Sequence, residues 1–176
     1  MKQIFLLPGQ WAVPHEPSEV TTILGPCVAV CLFDRTRGMG GMNHFLLAAG
    51  GASGRERSRY GDTSCEDLVQ CLFASGSRPE DIEARIVGGA NVGRLSHAEG
   101  ESLGERNAEM ARAVLRRHRI AIGFEDTGGA NARRLRFRTG VGILEVKTID
   151  GASSTTATIG AGPGSGASDE KAQAAR

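Results

Sequence analysis

One segment constrains the fold more than any other: the run CVAVCLFD, Cys27 to Asp34. It is apolar without alternation, and it is bounded by Gly25-Pro26 on one side and by the turn signal Asp34-Arg35-Thr36-Arg37 on the other. A strand of this kind has no face to give to water, so it belongs inside a sheet that is covered on both sides. A second apolar run, MNHFLL from Met42 to Leu47, follows the cluster Gly38, Gly40 and Gly41, and the two runs are expected to pair as a β-hairpin. A two-residue loop at Arg35-Thr36 sets Asp34 opposite Arg37 and Cys27 opposite His44. A slip within the glycine cluster would change that pairing.

The remaining segments supply the covering layers. Ser64-Cys65-Glu66-Asp67 leading into LVQCLFASG reads as a helix with Ser64 as N-cap and Gly76 as C-cap. A second helix is predicted over Glu105 to Arg119, with Ala108, Ala111, Leu115 and His118 along one side. Ile82 to Val87 and Ile120 to Phe124 read as strands, each leading into a GGAN tetrad, Gly88 to Asn91 and Gly128 to Asn131. Arg133 to Arg138 and Val141 to Val146 should form a closing hairpin in which Leu135 faces Leu144 and Arg134 faces Glu145. The expected fold is α/β (α+β): a layered mixed sheet of about six or seven strands covered by at least two helices. Residues 149–176, mostly the small polar stretch that begins at Gly151, are predicted to be a disordered Gly/Ser/Ala-rich tail. That leaves one folded domain over residues 1–148.

Composition narrows the function. A chain of 176 residues with 40% apolar content suits a single domain. Twenty-five glycines and only 5% aromatics imply tight turns and aliphatic packing, and no Gly-x-y period runs through the chain. Twenty-one Lys plus Arg against 20 Asp plus Glu leaves a net charge of +1, too little to grip nucleic acid or an anionic membrane over distance. No stretch reaches the roughly 18 to 20 apolar residues that a membrane span needs. The start, Met1 to Pro8, lacks a signal-peptide cleavage pattern. The expected location is cytoplasmic, where Cys27, Cys31, Cys65 and Cys71 would be reduced thiols.

Cys27 is the first candidate for chemistry. It follows the bend at Leu24-Gly25-Pro26, and the hairpin pairing brings His44 beside it. A neighbouring imidazole can take the thiol proton and hold the charge, so Cys27 is expected to be the low-pKa, reactive thiol. Cys31, four residues on, has no such partner and reads as core. Such a pair wants a third group to orient the ring, and Thr21 and Thr22 are the nearby hydroxyls. Spacing does not choose between them. His15, His97 and His118 have no common location. C-x3-C at Cys27 and Cys31 and C-x5-C at Cys65 and Cys71 do not match zinc spacing. The GGAN tetrads lack the dinucleotide and P-loop patterns and read as tight turns. Arg112, Arg116, Arg117 and Arg119 suit a solvated helix end. No metal or cofactor is expected.

The run TTILGPCVAVCLFDRTRGMGGMNHFLL resembles the signature of the CheD family of chemoreceptor glutamine deamidases. The similarity continues through Tyr60-Gly61-Asp62, ARIVGGAN, LGERN, EDTGGANARR and the closing hairpin. The resemblance implies a layered fold shared with deamidating toxins and a cysteine amidohydrolase with a Cys, His, Thr triad. In this sequence the family residues fall on Cys27, His44 and Thr21. It also implies methyl-accepting chemoreceptors as substrate, with a CheC-type phosphatase as a second partner. Related readings are a receptor glutamyl methylesterase or a CheC-regulating adaptor. One departure is Pro26, where the family usually has Ser; proline removes the backbone N–H.

Overall fold

The unalternating run becomes β4 (Val28–Asp34), and both of its faces are covered. Val28, Val30 and Leu32 face one core, while Ala29, Cys31 and Phe33 face another. The computed structural model describes residues 1–50, 53–91, 101–149 and 154–158. Among them, β4 is the middle of a five-stranded sheet in the order β2-β5-β4-β6-β7, comprising β2 (Gln10–Ala12), β5 (Met39–His44), β6 (Ile82–Gly88) and β7 (Ala121–Thr127). A second sheet runs β1-β3-β8-β9-β10, from β1 (Lys2–Phe5) and β3 (Ser18–Leu24) through β8 (Arg133–Arg138), β9 (Ile143–Thr148) and β10 (Ser154–Thr158). Helices α1 (Gly61–Ala74) and α2 (Leu103–Arg117) pack on the outer face of the first sheet. The order of layers is therefore helices, sheet, sheet.

The second core lies between the sheets, where Val20, Leu24, Leu135, Phe137, Leu144 and Val146 meet the inner face of β4. Strands β1, β2, β3 and β10 were not foreseen. The first three are short or mixed in composition, and they owe their form to pairing with apolar neighbours. β10 falls inside the expected tail and pairs antiparallel with β9. Residues 159–176 lie outside the described ones.

Both hairpins differ from expectation in the same way. Asp34 pairs with Met39 and Arg138 with Ile143, so each loop has four residues, Arg35 to Gly38 and Thr139 to Gly142. Each ends on a glycine in the left-handed region, Gly38 at φ 61° and Gly142 at φ 67°. The Gly38 N–H donates to the Asp34 carbonyl at 3.0 Å, and the Gly142 N–H donates to the Arg138 carbonyl at 2.9 Å. In the first loop the Asp34 carboxylate also accepts from the Thr36 and Arg37 N–H groups. The register therefore shifts by two residues, which preserves every face. Leu135 faces Val146 and Arg136 faces Glu145.

The helix starts moved as well. α1 begins at Gly61, ahead of Ser64, because the Gly61 and Asp62 N–H groups donate to the Leu47 and Ala48 carbonyls at 2.7 and 3.0 Å. Backbone acceptors thus replace a side-chain cap. α2 begins after Ser102, which forms a reciprocal capping box with Glu105.

Candidate active site

The site forms where β3, β4 and β5 end together. Cys27 stands one residue before β4, and the three carbonyls up to it are all held. Gly25 O accepts from the Ala90 N–H at 2.9 Å, Pro26 O from the Asn107 side-chain amide at 3.0 Å, and Cys27 O from the Gly89 N–H at 2.8 Å. The first GGAN tetrad therefore serves to anchor this segment. At position 26 the anchor uses only the carbonyl, so the N–H that proline lacks is not part of it.

His44 comes from the last residue of β5. Val28 and Phe45 bridge β4 and β5 beyond the paired ladder, which stops at Cys31 and Met42. In the gap, the Asn43 side-chain carbonyl accepts from the Val30 N–H at 2.7 Å. Val28 and Phe45 point toward the helices. Cys27 and His44 flank that bridge on the other face, diagonal to one another, a relation that spans about 7 to 8 Å between α-carbons and lets longer side chains meet. Cys27 lies diagonal to His44 and not directly opposite, for the loop reason given above.

The imidazole is buried, at 2% exposure. Its Nδ1 lies 2.8 Å from the Thr22 hydroxyl oxygen, and that hydroxyl donates to the Leu6 carbonyl at 2.8 Å. A hydroxyl has one proton, and this one is committed to Leu6. Thr22 must then accept from His44, which places the ring proton on Nδ1 and leaves the Nε2 lone pair free. Nε2 is buried and has no hydrogen-bond partner among the described residues. The hydroxyl that reaches the ring is that of Thr22, and not that of Thr21, which the resemblance implied. Side chains alternate along β3, so Thr22 points inward with Val20 and Leu24. Thr21 lies on the other face, its hydroxyl 3.4 Å from the Ile4 carbonyl.

Burial acts on both titrating groups against charge. Desolvation lowers the His44 pKa to about 4 despite the nearby Leu6 carbonyl. It raises the Cys27 thiol above its usual value, with its own backbone N–H partly opposing the shift. Both shifts favour the uncharged forms, against the expectation of a low-pKa Cys27. Cys31 and Cys65 are buried and pushed up to about 12, whereas Cys27 and Cys71 are half-exposed. Native-state alkylation with iodoacetamide should therefore label Cys27 and Cys71 and spare Cys31 and Cys65. The Cys27 rate should keep climbing with pH beyond neutrality; a plateau on the acid side would reveal a preformed ion pair.

The His44 shift also has a sign for stability. Between the ordinary value of 6.5 and about 4 the unfolded chain binds a proton that the folded chain refuses. Stability is then lost as pH falls through that window, by about 3 kcal/mol in all, and is fully present above it. Denaturant titrations across this range should show a flatter acid limb for His44→Gln than for the wild type.

Of the other candidates, His118 pairs with Glu66 at 2.8 Å on the helix side, and His15 is in a loop. His97 lies outside the described residues. No group of three or more His, Cys, Asp or Glu able to hold a metal occurs among the described residues. Sequence reasoning left Thr21 and Thr22 open, and the resemblance chose Thr21, although Thr22 shares the inward parity of Val20 and Leu24; it missed Asn107, a polar residue on the apolar face of α2.

An accessible thiol, an imidazole with its proton assigned and its acceptor nitrogen free, and a segment held from three sides are the parts that thiol-dependent acyl transfer requires. The CheD family model, described as CheD chemotactic sensory transduction, matches residues 47–148. The chain belongs to the CheD family. The probable chemoreceptor glutamine deamidase CheD of Trichlorobacter lovleyi is 40% identical over 144 residues, covering 82% of this chain and 89% of that one. Its namesake in Thiobacillus denitrificans is 38% identical over 148 residues, covering 82% and 72%. The probable chemoreceptor glutamine deamidase CheD 1 of Anaeromyxobacter dehalogenans is 37% identical, covering 84% and 85%. Among solved structures, Bacillus licheniformis hypothetical protein YfiH overlaps 61% of this chain and 46% of its own, with a TM-score of 0.40 at 20% identity. That overlap is too loose to carry an argument.

Proposed function

We propose that this chain is a chemoreceptor glutamine deamidase in which Cys27 is the nucleophile, His44 the proton carrier and Thr22 the residue that orients it. The observation that carries the reading is the Thr22 contact, because it leaves His44 with one free basic nitrogen on the sheet face that Cys27 shares. Family membership supplies the substrate class.

In the first step the Cys27 sulfur attacks the carboxamide carbon of a receptor glutamine while His44 Nε2 takes the thiol proton. The oxygen of the tetrahedral intermediate accepts from the Cys27 N–H, which lies beside the sulfur. His44 then gives its proton to the departing nitrogen. Ammonia leaves and a thioester remains. Burial makes the imidazolium a strong acid, so a ring that is a reluctant acceptor is an effective donor at this step. Water, deprotonated by His44, hydrolyses the thioester to glutamate and restores the thiol. The residues require no cofactor in this scheme. The product adds a negative charge to the receptor surface and so alters repulsion between its helices.

Incubation with a receptor cytoplasmic fragment, following ammonia release and the amide-to-acid mass change, tests the reading. Binding without conversion would favour the adaptor reading with a CheC-type phosphatase as partner. Release of methanol from glutamyl methyl esters would reveal esterase action through the same thioester. A cytoplasmic location belongs to the proposal; among the described residues no helix is long and apolar enough to cross a membrane.

A further inference from the structure

We infer that Asn107 is a positioning residue that holds Cys27 against His44. The inference rests on the reading above for its link to turnover, but its geometry stands apart from it. Asn107 is fully buried on the inner face of α2, among Gly104, Ala108 and Ala111. A polar residue in that stripe breaks the helix pattern and needs a reason. Its side-chain amide donates twice, to Pro26 O at 3.0 Å and to Leu46 O at 2.8 Å. Pro26 immediately precedes the thiol residue, and Leu46 stands two residues after the imidazole. One planar group with two fixed N–H directions thus ties together the two segments that carry the pair.

The fold brings α2 close enough for this by removing side chains. A β-carbon on Gly104 would run into the Gly89 carbonyl, and Gly89 itself sits at φ 66°. The first turn of α2 therefore rests directly on the tetrad that also anchors Cys27 O, and Asn107 follows one turn later. Other groups hold the outer side of each segment: Ala90 for Gly25, and Arg59 O for the Leu46 N–H. The Val28–Phe45 backbone bridge joins the two segments on one side of the pair, and Asn107 adds a side-chain tie from α2 at Pro26 and Leu46.

A displacement of about 1 Å between reacting groups costs on the order of 100-fold in rate. Asn107→Ala should therefore lower kcat on the receptor fragment by tens of fold and change KM by less than about threefold. At neutral pH, iodoacetamide labelling of Cys27, in which His44 Nε2 takes the thiol proton as the sulfur attacks, should slow to the rate of His44→Gln, a readout that needs no substrate. Cys31 and Cys65 should stay protected. Ala111→Gly, on the same helix face and without either carbonyl contact, should lose stability and keep both rates. If Asn107→Ala unmasks Cys31 and Cys65, Asn107→Gln decides, since it keeps the amide on a longer arm and should still depress the Cys27 rate. Wild-type labelling rates in the folded Asn107 variant would overturn the inference, as would equal losses in Ala111→Gly. Absence of wild-type turnover with slowed Cys27 labelling in the variants would sink the deamidase reading and leave the positioning role standing.

Discussion

Replacing Cys27 with alanine is expected to abolish conversion of receptor glutamine, a loss of at least about 10⁴-fold in kcat, while receptor binding persists. The sulfur forms the bond that splits amide hydrolysis into two steps, and among the described residues no other thiol shares a sheet face with His44 at this end of the sheet. Cys31 is two rungs deeper in the inter-sheet core and Cys65 is on α1, both buried. Cys71 is accessible but also belongs to α1, on the helix layer. Cys65→Ser and Cys71→Ser should therefore retain turnover. Loss of activity in either one, with Cys27→Ala still active, would refute the assignment. Because Cys27 is half-exposed and outside β4, its truncation leaves both cores filled, and the melting transition should move little.

The second large effect separates two adjacent threonines. Thr22→Val removes the hydroxyl that accepts the Nδ1 proton, and it leaves the Leu6 carbonyl without its Thr22 donor. The ring can then place its proton on Nε2, where it blocks uptake of the thiol proton. Loss of an orienting partner of this kind is worth about 100- to 1,000-fold in kcat, with a smaller change in KM. Thr21→Val, on the opposite face of β3, should stay within about twofold, since β-branched residues are interchangeable on a strand surface. The reverse ranking would restore Thr21 and overturn the tautomer argument. Thr22→Ser should recover most of the activity, because it keeps the hydroxyl.

The sequence reveals the frame of this site better than its last contact. CVAVCLFD has no polar face, so double coverage of β4 follows from composition alone, and with it the layered fold. The pairing of the Cys27 and His44 strands was also legible, and so was their shared face, because a two-residue slip preserves parity. Loop length was not legible. Arg35 to Gly38 closes through a left-handed glycine and the Asp34 carboxylate, and RTRG does not display that geometry as Asn-Gly would. Thr21 and Thr22 differ only in which face each takes. Parity with Val20 and Leu24 decides that, once β3 is known to be a strand. The fold class and the CheD resemblance needed no coordinates. The start of α1 did, since it is set by carbonyls at Leu47 and Ala48, distant in sequence from any cap signal.

The segment ahead of the thiol is gripped by its carbonyls at residues 25, 26 and 27, and the Pro26 ring is exposed. Side-chain identity at residue 26 is therefore decoupled from the grip. A photo-crosslinking amino acid installed there would sit beside the reactive mouth without loosening it, and could capture whichever receptor helix docks.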